Sequence, residues 1–232
     1  MIWIGTSGFQ YPEWKGSFYP EKISAVKMLP YYSERFSTTE INYTFNKIPT
    51  VKALDSWMSA TPENFRFSLK APKLITHIKK LQNADAILKE FWKAAKRLNR
   101  KLGVVLFQLP PWFKKDMKVL MVFLSSLPRG LKATFEFRHE SWFDEEVYAV
   151  LRSKNAALCI ADSEKLSTPP VMTADFGYFR LRDVGYEPAD IRHWAKVISK
   201  QMKTASDVYV YFKHEETGTG PKFAEALRKA LS

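Results

Sequence analysis

The sequence contains one cysteine, Cys159, and this scarcity excludes several classes of site. A single cysteine cannot form an internal disulfide, a multi-cysteine zinc site or an iron–sulfur cluster. Cys159 lies in the apolar run 156–161, where a lone cysteine typically packs as a small buried hydrophobe. We therefore expect it to be structural and not a catalytic thiol.

Histidine is nearly as scarce, with four residues in the chain: His77, His139, His193 and His214. His193 falls in a predicted helix, and the zinc-binding motif His-Glu-x-x-His is absent. The chain therefore lacks the set of histidines that a site for several metal ions requires. We expect no metal and no cofactor; a single ion bound by Glu136, His139 or Asp162 is the alternative.

Long apolar runs and linkers are also missing. No stretch reaches the roughly 20 apolar residues of a membrane span, and the first five residues lack the basic flank of a signal peptide. No glycine- and serine-rich linker divides the chain. These absences predict a cytoplasmic protein without a membrane partner, folded as one domain over residues 1–232. They do not indicate an oligomeric state.

Positive charge, in contrast, is abundant. The chain has 36 Lys and Arg against 24 Asp and Glu, a net charge of +12. Segment 70–101 holds ten of the basic residues and only two acidic ones. Such a surplus attracts nucleic acid or phosphorylated ligands. The interpretation that we favour is an exposed helix face, formed by Lys89, Lys93, Lys96, Arg97 and Arg100.

Short runs of β-forming residues alternate with helical patterns along the chain. Eight runs predict strands, at residues 2–5, 38–42, 66–70, 104–109, 133–137, 157–161, 177–181 and 207–212. Apolar residues spaced by three and four predict helices over 81–102, 117–127 and 191–202. The segment after the sixth strand, 163–174, contains Pro169-Pro170 and predicts a loop with little helix.

Eight such units either close a barrel or form an open, doubly wound sheet. An open dinucleotide-binding sheet carries a glycine-rich turn directly before a helix. The only candidate, Gly5-Thr6-Ser7-Gly8, lacks the third glycine and the following helix. The predicted fold class is therefore α/β, a single parallel (β/α)8 barrel of the TIM type with an irregular sixth unit.

Several predicted strands alternate polar and apolar residues, unlike the usual parallel strand, which is apolar on both faces. In residues 66–70, Phe67 and Leu69 alternate with Ser68 and Lys70, and residues 134–138, 179–182 and 208–213 follow the same pattern. Because successive side chains point to opposite sides, the apolar members face the helices and the polar members face the barrel axis.

The polar members fall late in their strands, at the end of the barrel where active sites form. We predict that seven side chains converge there: Glu40, Lys70, Gln108, Glu136, Arg138, Asp162 and Arg180. Buried charges are costly unless they are paired or near water. The alternative is therefore structural, a buried ion pair of Glu136 with Arg138 or Arg180.

The chain also carries a series of long motifs. They are Gly5-Thr6-Ser7-Gly8-Phe9 with Tyr11-Pro12-Glu13-Trp14 and Phe18-Tyr19-Pro20, Thr39-Glu40-Ile41-Asn42, Phe67-Ser68-Leu69-Lys70-Ala71-Pro72 with Thr76-His77, Leu106-Phe107-Gln108-Leu109-Pro110-Pro111, Glu136-Phe137-Arg138-His139 with Ser141-Trp142-Phe143, Ala161-Asp162-Ser163, and Tyr209-Val210-Tyr211-Phe212. Together they resemble the family called domain of unknown function 72, the YecE-like proteins.

This resemblance implies a barrel of the triosephosphate-isomerase type and no particular activity. Two loops depart from the family pattern. Arg182-Asp183 stands where members often have His-Gly, and Lys213-His214 stands where many have asparagine. We expect the ligand contacts of these two loops to differ here.

The first functional hypothesis is a metal-independent hydrolase, lyase or isomerase acting on a small anionic or phosphorylated ligand. Lys70, Arg138 and Arg180 would hold the anion, since arginine can donate two parallel hydrogen bonds to it. The candidates for general acid and base are Glu136, then Glu40 and Asp162. The further candidates for substrate binding are Asn42, Gln108, His139, Trp142 and Tyr211, with Trp14 as a second apolar wall.

Two other functions stay open. The net charge and the aromatic content permit nucleic-acid binding or DNA processing, with segment 70–101 contacting phosphates and the barrel mouth receiving an extruded base. A non-catalytic ligand sensor would use the same pocket. The two glutamates on strands two and five are weak support for a glycosidase.

Overall fold

A closed barrel of eight parallel strands forms the centre of the computed structural model, which describes residues 1–162, 166–215 and 218–231. The strands pair in chain order, and β1 pairs β8 to close the barrel. They are β1 Ile2–Ser7, β2 Thr38–Ile41, β3 Arg66–Lys70, β4 Leu102–Gln108, β5 Ala133–Glu136, β6 Ala157–Ala161, β7 Phe176–Leu181 and β8 Asp207–Phe212. The barrel predicted from the sequence is confirmed.

Helices connect the strands on the outside of the barrel. Those described are α1 Ala25–Ser33, α2 Val51–Ser59, α3 Asp85–Ala95, α4 Met117–Ser126, α5 Glu145–Ser153, α6 Pro188–Met202 and α7 Thr219–Leu231, with short helical turns at Pro12–Trp14, Tyr43–Phe45, Leu74–Ile78, Lys96–Lys101 and Glu140–Trp142. Asp116 and Asp144 cap α4 and α5 by accepting hydrogen bonds from free backbone N–H groups. None of the described helices is long and apolar enough to span a membrane.

The basic segment is less regular than its apolar spacing predicts. α3 ends at Ala95, and Asn99 within the next turn has a left-handed φ of 49°, which an α-helix does not contain. The predicted continuous helix over 81–102 is therefore wrong at both ends. The five basic residues assigned to an exposed face, including Lys93, are all exposed, as that interpretation predicts.

Two apolar clusters lie on either side of the barrel wall. Phe67, Phe135 and Phe179 pack outward against the helices. The barrel interior is filled by Trp3, Val104, Leu106, Ala157, Cys159, Tyr178, Tyr209 and Tyr211, among others. The alternation read from the strands is confirmed. Cys159 is fully buried, and burial raises the pKa of its thiol, so the thiolate that a nucleophile needs is disfavoured.

The connection from β6 to β7 is the irregular unit that the sequence predicts. Residues 166–175 contain no helix, and the remainder of the predicted loop, 163–165, lies outside the described residues. The Thr173 hydroxyl donates to the Ala156 carbonyl and accepts from the Leu158 amide, at 2.8 and 2.7 Å. These two bonds hold the loop against the amino end of β6.

Candidate functional site

A buried arginine links two glutamates inside the barrel, near the carboxyl ends of the strands. Arg180 of β7 donates from Nε and Nη2 to Glu40 of β2, at 2.9 and 2.8 Å, and from Nη1 to Glu136 of β5, at 2.6 Å. The arginine side chain is 0% exposed. The expectation that Arg180 presents a free cation to a ligand is therefore wrong, and the structural alternative, the buried ion pair, is what forms.

The strand register explains why these residues meet. Glu40 lies opposite Ser7 of β1, and Glu136 lies opposite Gln108 of β4. Each is an inward-facing residue near the end of its strand, so all four strands deliver a polar group to one layer of the barrel. Arg180 spans that layer because its side chain is long enough to reach carboxylates from both sides.

Both glutamates are held as carboxylates. Burial alone would raise the pKa of Glu40, but Arg180, Ser7 and Tyr178 outweigh it and lower that pKa; the Tyr178 hydroxyl donates at 2.6 Å. Burial also opposes ionisation of Glu136, yet Arg180, Arg138 and a 2.8 Å hydrogen bond from Gln108 lower its pKa to about 2. Groups ionised in this way cannot donate a proton at neutral pH, so the expected general-acid role does not fit their environment.

Lys70, the last residue of β3, has the opposite character. Its ammonium lies 4.2 Å from the centre of the Phe45 ring. Across the described residues no hydrogen bond or ion pair to its Nζ occurs. Burial lowers the pKa of Lys70 to about 8, with a further lowering by the charge of Arg180, while Glu136 and Glu40 act in the other direction. A cation without a close counterion is what a bound anion would stabilise.

Other cations surround the same layer. Arg138 follows β5 and is 30% exposed; its Nε lies 3.8 Å from Glu136. Lys213 follows β8 and is 36% exposed, and its ammonium lies 3.9 Å from the Glu215 carboxylate. Burial and the charge of Arg180 lower the pKa of Lys213. Arg182 lies in the same region, where its charge lowers the pKa of Glu136 and of Lys213.

Within the described residues, the hydrogen bonds of the Asp162 carboxylate do not involve the side chains of Lys70, Arg138 or Arg180. Its carboxylate accepts from the Arg182 backbone N–H at 2.7 Å and from the Tyr186 hydroxyl. Burial raises its pKa, opposed by these two hydrogen bonds. The predicted catalytic candidate thus anchors the loop that follows β7, and no contact with Glu136 or Lys70 is present among its hydrogen bonds.

Three aromatic residues expected to line the site are instead part of the core. The hydroxyl of fully buried Tyr211 bonds Thr38 and Ser68, at 2.6 and 2.8 Å, deeper in the barrel. Trp142 is fully buried and stacks on Phe137, and Trp14 is 1% exposed. The assignments of Tyr211, Trp142 and Trp14 to the ligand-binding surface are therefore wrong, because the Tyr211 ring lies inside the barrel and the two tryptophan rings are packed in the outer core.

Two predicted binding residues, Asn42 and His139, already form hydrogen bonds within the protein. Asn42 donates from Nδ2 to the Ser7 hydroxyl at 2.8 Å, while its buried Oδ1 has no partner among the described residues. His139 accepts from the Ser141 amide through Nδ1, which caps the turn Glu140–Trp142. Asn42 thereby extends the network of Glu40 toward the barrel mouth.

An aromatic rim at the mouth was not predicted. The ring centroids of Phe45 and His77 are 4.9 Å apart, and those of His77 and Trp112 are 6.4 Å apart. Trp112 is 65% exposed. Burial and the charges of Lys70 and Arg138 lower the pKa of His77. The sequence clue was Pro110-Pro111-Trp112, an aromatic residue in the loop that directly follows a barrel strand.

The two loops that depart from the family pattern contact each other. The His214 Nε2 donates to the Asp183 carbonyl at 2.6 Å, so both departures belong to one contact. In the described parts of the chain, no group of three or more His, Cys, Asp or Glu side chains is placed to hold a metal ion.

Comparison with known proteins identifies relatives across the whole chain. The family model described as protein of unknown function DUF72 matches residues 3–232. The UPF0759 protein YunF of Bacillus subtilis (strain 168) is 25% identical over 257 residues, covering 94% of this chain and 90% of YunF. The UPF0759 protein YecE of Escherichia coli (strain K12) is 29% identical over 144 residues, which are 62% of this chain and 50% of YecE.

Solved structures show the same fold. The crystal structure of a DUF72 family protein from Thermotoga maritima has a TM-score of 0.88 and 25% identity, and covers 100% of this chain and 99% of that one. A DUF72 family protein from Enterococcus faecalis has a TM-score of 0.84 and 20% identity, and covers 100% and 95%. The family resemblance and the barrel fold predicted from the sequence are both confirmed.

Proposed function

Since this chain belongs to the DUF72 family, a family of unknown function, we propose a function from the geometry of its strand-end site. The site binds a small anionic ligand and transfers a proton to or from that ligand, without a metal ion. Arg138 contacts the anionic group, and Lys70 is the group that gains or loses the proton. The buried ion-pair network of Arg180 with Glu40 and Glu136 positions Arg138 and Lys70 and does not contact the ligand.

The observation that carries this proposal is the ammonium of Lys70, which forms no ion pair or hydrogen bond with the described residues. Arg180 is paired with two carboxylates, whereas Lys70 has no close counterion among the described residues. The charges of Arg180 and Lys213 oppose protonation of Lys70, and Arg138 lies beside Glu136 at 3.8 Å. An anion entering the mouth would relieve this repulsion and receive charge-assisted hydrogen bonds.

Proton transfer is assigned to Lys70 because its pKa fits the task. A general acid or base works best when its pKa lies near the operating pH. The pKa of Lys70, lowered to about 8, meets this condition, and that of Glu136, lowered to about 2, does not. The carboxylates selected from the sequence as general acid and base therefore become counterions in this proposal.

Calorimetric titration with inorganic phosphate and small phosphorylated ligands tests the binding. We expect Arg138→Ala to raise Kd by roughly ten- to a hundred-fold, since a charged hydrogen bond contributes on the order of 1.5–3 kcal/mol. The matched control is Lys93→Ala on the exposed face of α3, where salt screens the charge, and we expect no change in Kd there.

Two results would contradict this proposal. One is weakening by Lys93→Ala without weakening by Arg138→Ala. The other is tight binding of duplex DNA that is unaffected by Arg138→Ala. Either result would indicate that the ligand binds to the exposed basic surface of α3, and would support the nucleic-acid alternative.

A further inference from the structure

We propose that Lys70 forms a covalent imine with the carbonyl carbon of a small carbonyl-bearing anion, such as a 2-oxo acid or an open-chain sugar phosphate. This inference rests on the proposed anion binding and names the class of ligand; the proton that Lys70 loses in that proposal frees the Nζ lone pair for attack on the ligand carbonyl. Arg138 would hold the carboxylate or phosphate of the ligand while its carbonyl reaches the Lys70 amine.

The surroundings of Lys70 differ from those of two other lysines, Lys101 and Lys115, whose ammonium groups have strong partners. The buried Lys101 donates from Nζ to the carbonyls of Met58 and Thr61, both at 2.7 Å. Lys115 pairs with Asp144 and with Glu146. The Lys70 Nζ instead lies 4.2 Å from the centre of the Phe45 ring, and no hydrogen-bond acceptor among the described residues pairs with it. No such acceptor therefore has to be displaced before the amine reacts with a ligand carbonyl.

The charges around Lys70 keep part of it neutral. Burial and the charges of Arg180 and Lys213 oppose protonation of Lys70, while Glu136 and Glu40 favour it. His77, on the turn that follows β3, is a further titratable group close to Lys70. With a pKa of about 8, roughly a tenth of Lys70 is the free amine at neutral pH, far more than for an ordinary lysine. Lysines desolvated beside another cation are the ones that act as nucleophiles.

The chemistry balances without a co-reactant. The amine lone pair attacks the carbonyl carbon, and the C=O bond becomes a C–O–H bond after the oxygen takes up a proton. Loss of that oxygen as water forms the C=N bond, so the ammonium and the carbonyl compound give a protonated imine and one water. Positive charge is conserved at Nζ, within range of Glu136 and Glu40, which stabilise it.

Reductive trapping tests the imine directly. Wild-type protein is mixed with pyruvate or with dihydroxyacetone phosphate, treated with sodium borohydride, and analysed by intact mass and peptide mapping. Lactate and glycerol 3-phosphate, which lack the carbonyl, are the matched ligand controls. We expect one adduct per chain, on Lys70, with at least one of the two carbonyl compounds. Which of them reacts distinguishes a 2-oxo acid from a sugar phosphate.

Matched variants complete the test. Lys70→Arg keeps the positive charge and should bind phosphate but give no adduct, whereas Lys93→Arg on the exposed face of α3 should be trapped like the wild type. Excess inorganic phosphate should suppress trapping of the wild type. Adducts spread evenly over surface lysines, or an unmodified Lys70 with both carbonyl compounds, would overturn the imine. If Arg138→Ala still weakens phosphate binding in that case, the anion site stands without the covalent step.

Discussion

Replacing Arg180 by methionine is expected to lower the free energy of unfolding by about 3–5 kcal/mol, because it leaves two carboxylates buried without their counterion. Glu40 is fully buried and Glu136 is 1% exposed, so water cannot solvate either charge. Urea unfolding followed by circular dichroism measures the change. Arg97→Met is the matched control, since Arg97 pairs with Asp55 at the surface, and it should cost less than about 1 kcal/mol.

A combined variant separates loss of the charge from loss of packing. Adding Glu40→Gln and Glu136→Gln to Arg180→Met removes the uncompensated carboxylates and should restore a substantial part of the lost stability. If Arg180→Met alone costs no more than the Arg97 control, the buried ion pair is not the centre of the site.

Acid is expected to weaken the fold through Glu136. Its folded-state pKa of about 2 lies below the ordinary value of 4.5, so its contribution is fully present above about pH 4.5 and is lost as the pH falls toward 2. A depression of this size corresponds to about 3 kcal/mol. Urea unfolding of the wild type between about pH 5 and pH 2 should therefore show a steep loss of stability.

The variant Glu136→Gln isolates that effect. It should be less stable than the wild type at pH 7 and show a shallower pH dependence over the same window, because the titrating group is gone. Glu63→Gln, at an exposed position after α2, should follow the wild-type profile. Identical pH profiles for the wild type and Glu136→Gln would show that Glu136 does not titrate far below its ordinary value.

The fold followed from the sequence because its periodicities are local. Alternation in residues such as Phe67 and Ser68 assigned each side chain to the helix side or to the barrel axis, and the two apolar clusters agree. The length of α3 could not be predicted, since the left-handed turn at Asn99 interrupts an apolar spacing that otherwise continues. The spacing of apolar residues indicates which face of a helix is buried, but it does not indicate the residue at which the helix ends.

For the site, the sequence predicted which residues face the barrel axis but not how their side chains pair. Alternation placed Glu40, Lys70, Glu136 and Arg180 on the axis side, and Arg180 meets both glutamates in the barrel. Which cation takes the carboxylates depends on side-chain reach across the barrel, and strand order alone does not give it. Burial of Trp142 depends on how loops from distant parts of the chain pack, so its position had no local sequence cue.

An NMR titration of the Lys70 side chain shows whether Lys70 is a perturbed cation that an anion stabilises. The signal is assigned by its disappearance in Lys70→Arg, and the titration is run with and without inorganic phosphate. We expect the pKa of Lys70 to be about 8 in the free protein, and higher with phosphate because the bound anion supplies a counterion. An ordinary lysine pKa of about 10.4 that phosphate does not change would show that Lys70 is not the proton-transfer group of an anion site.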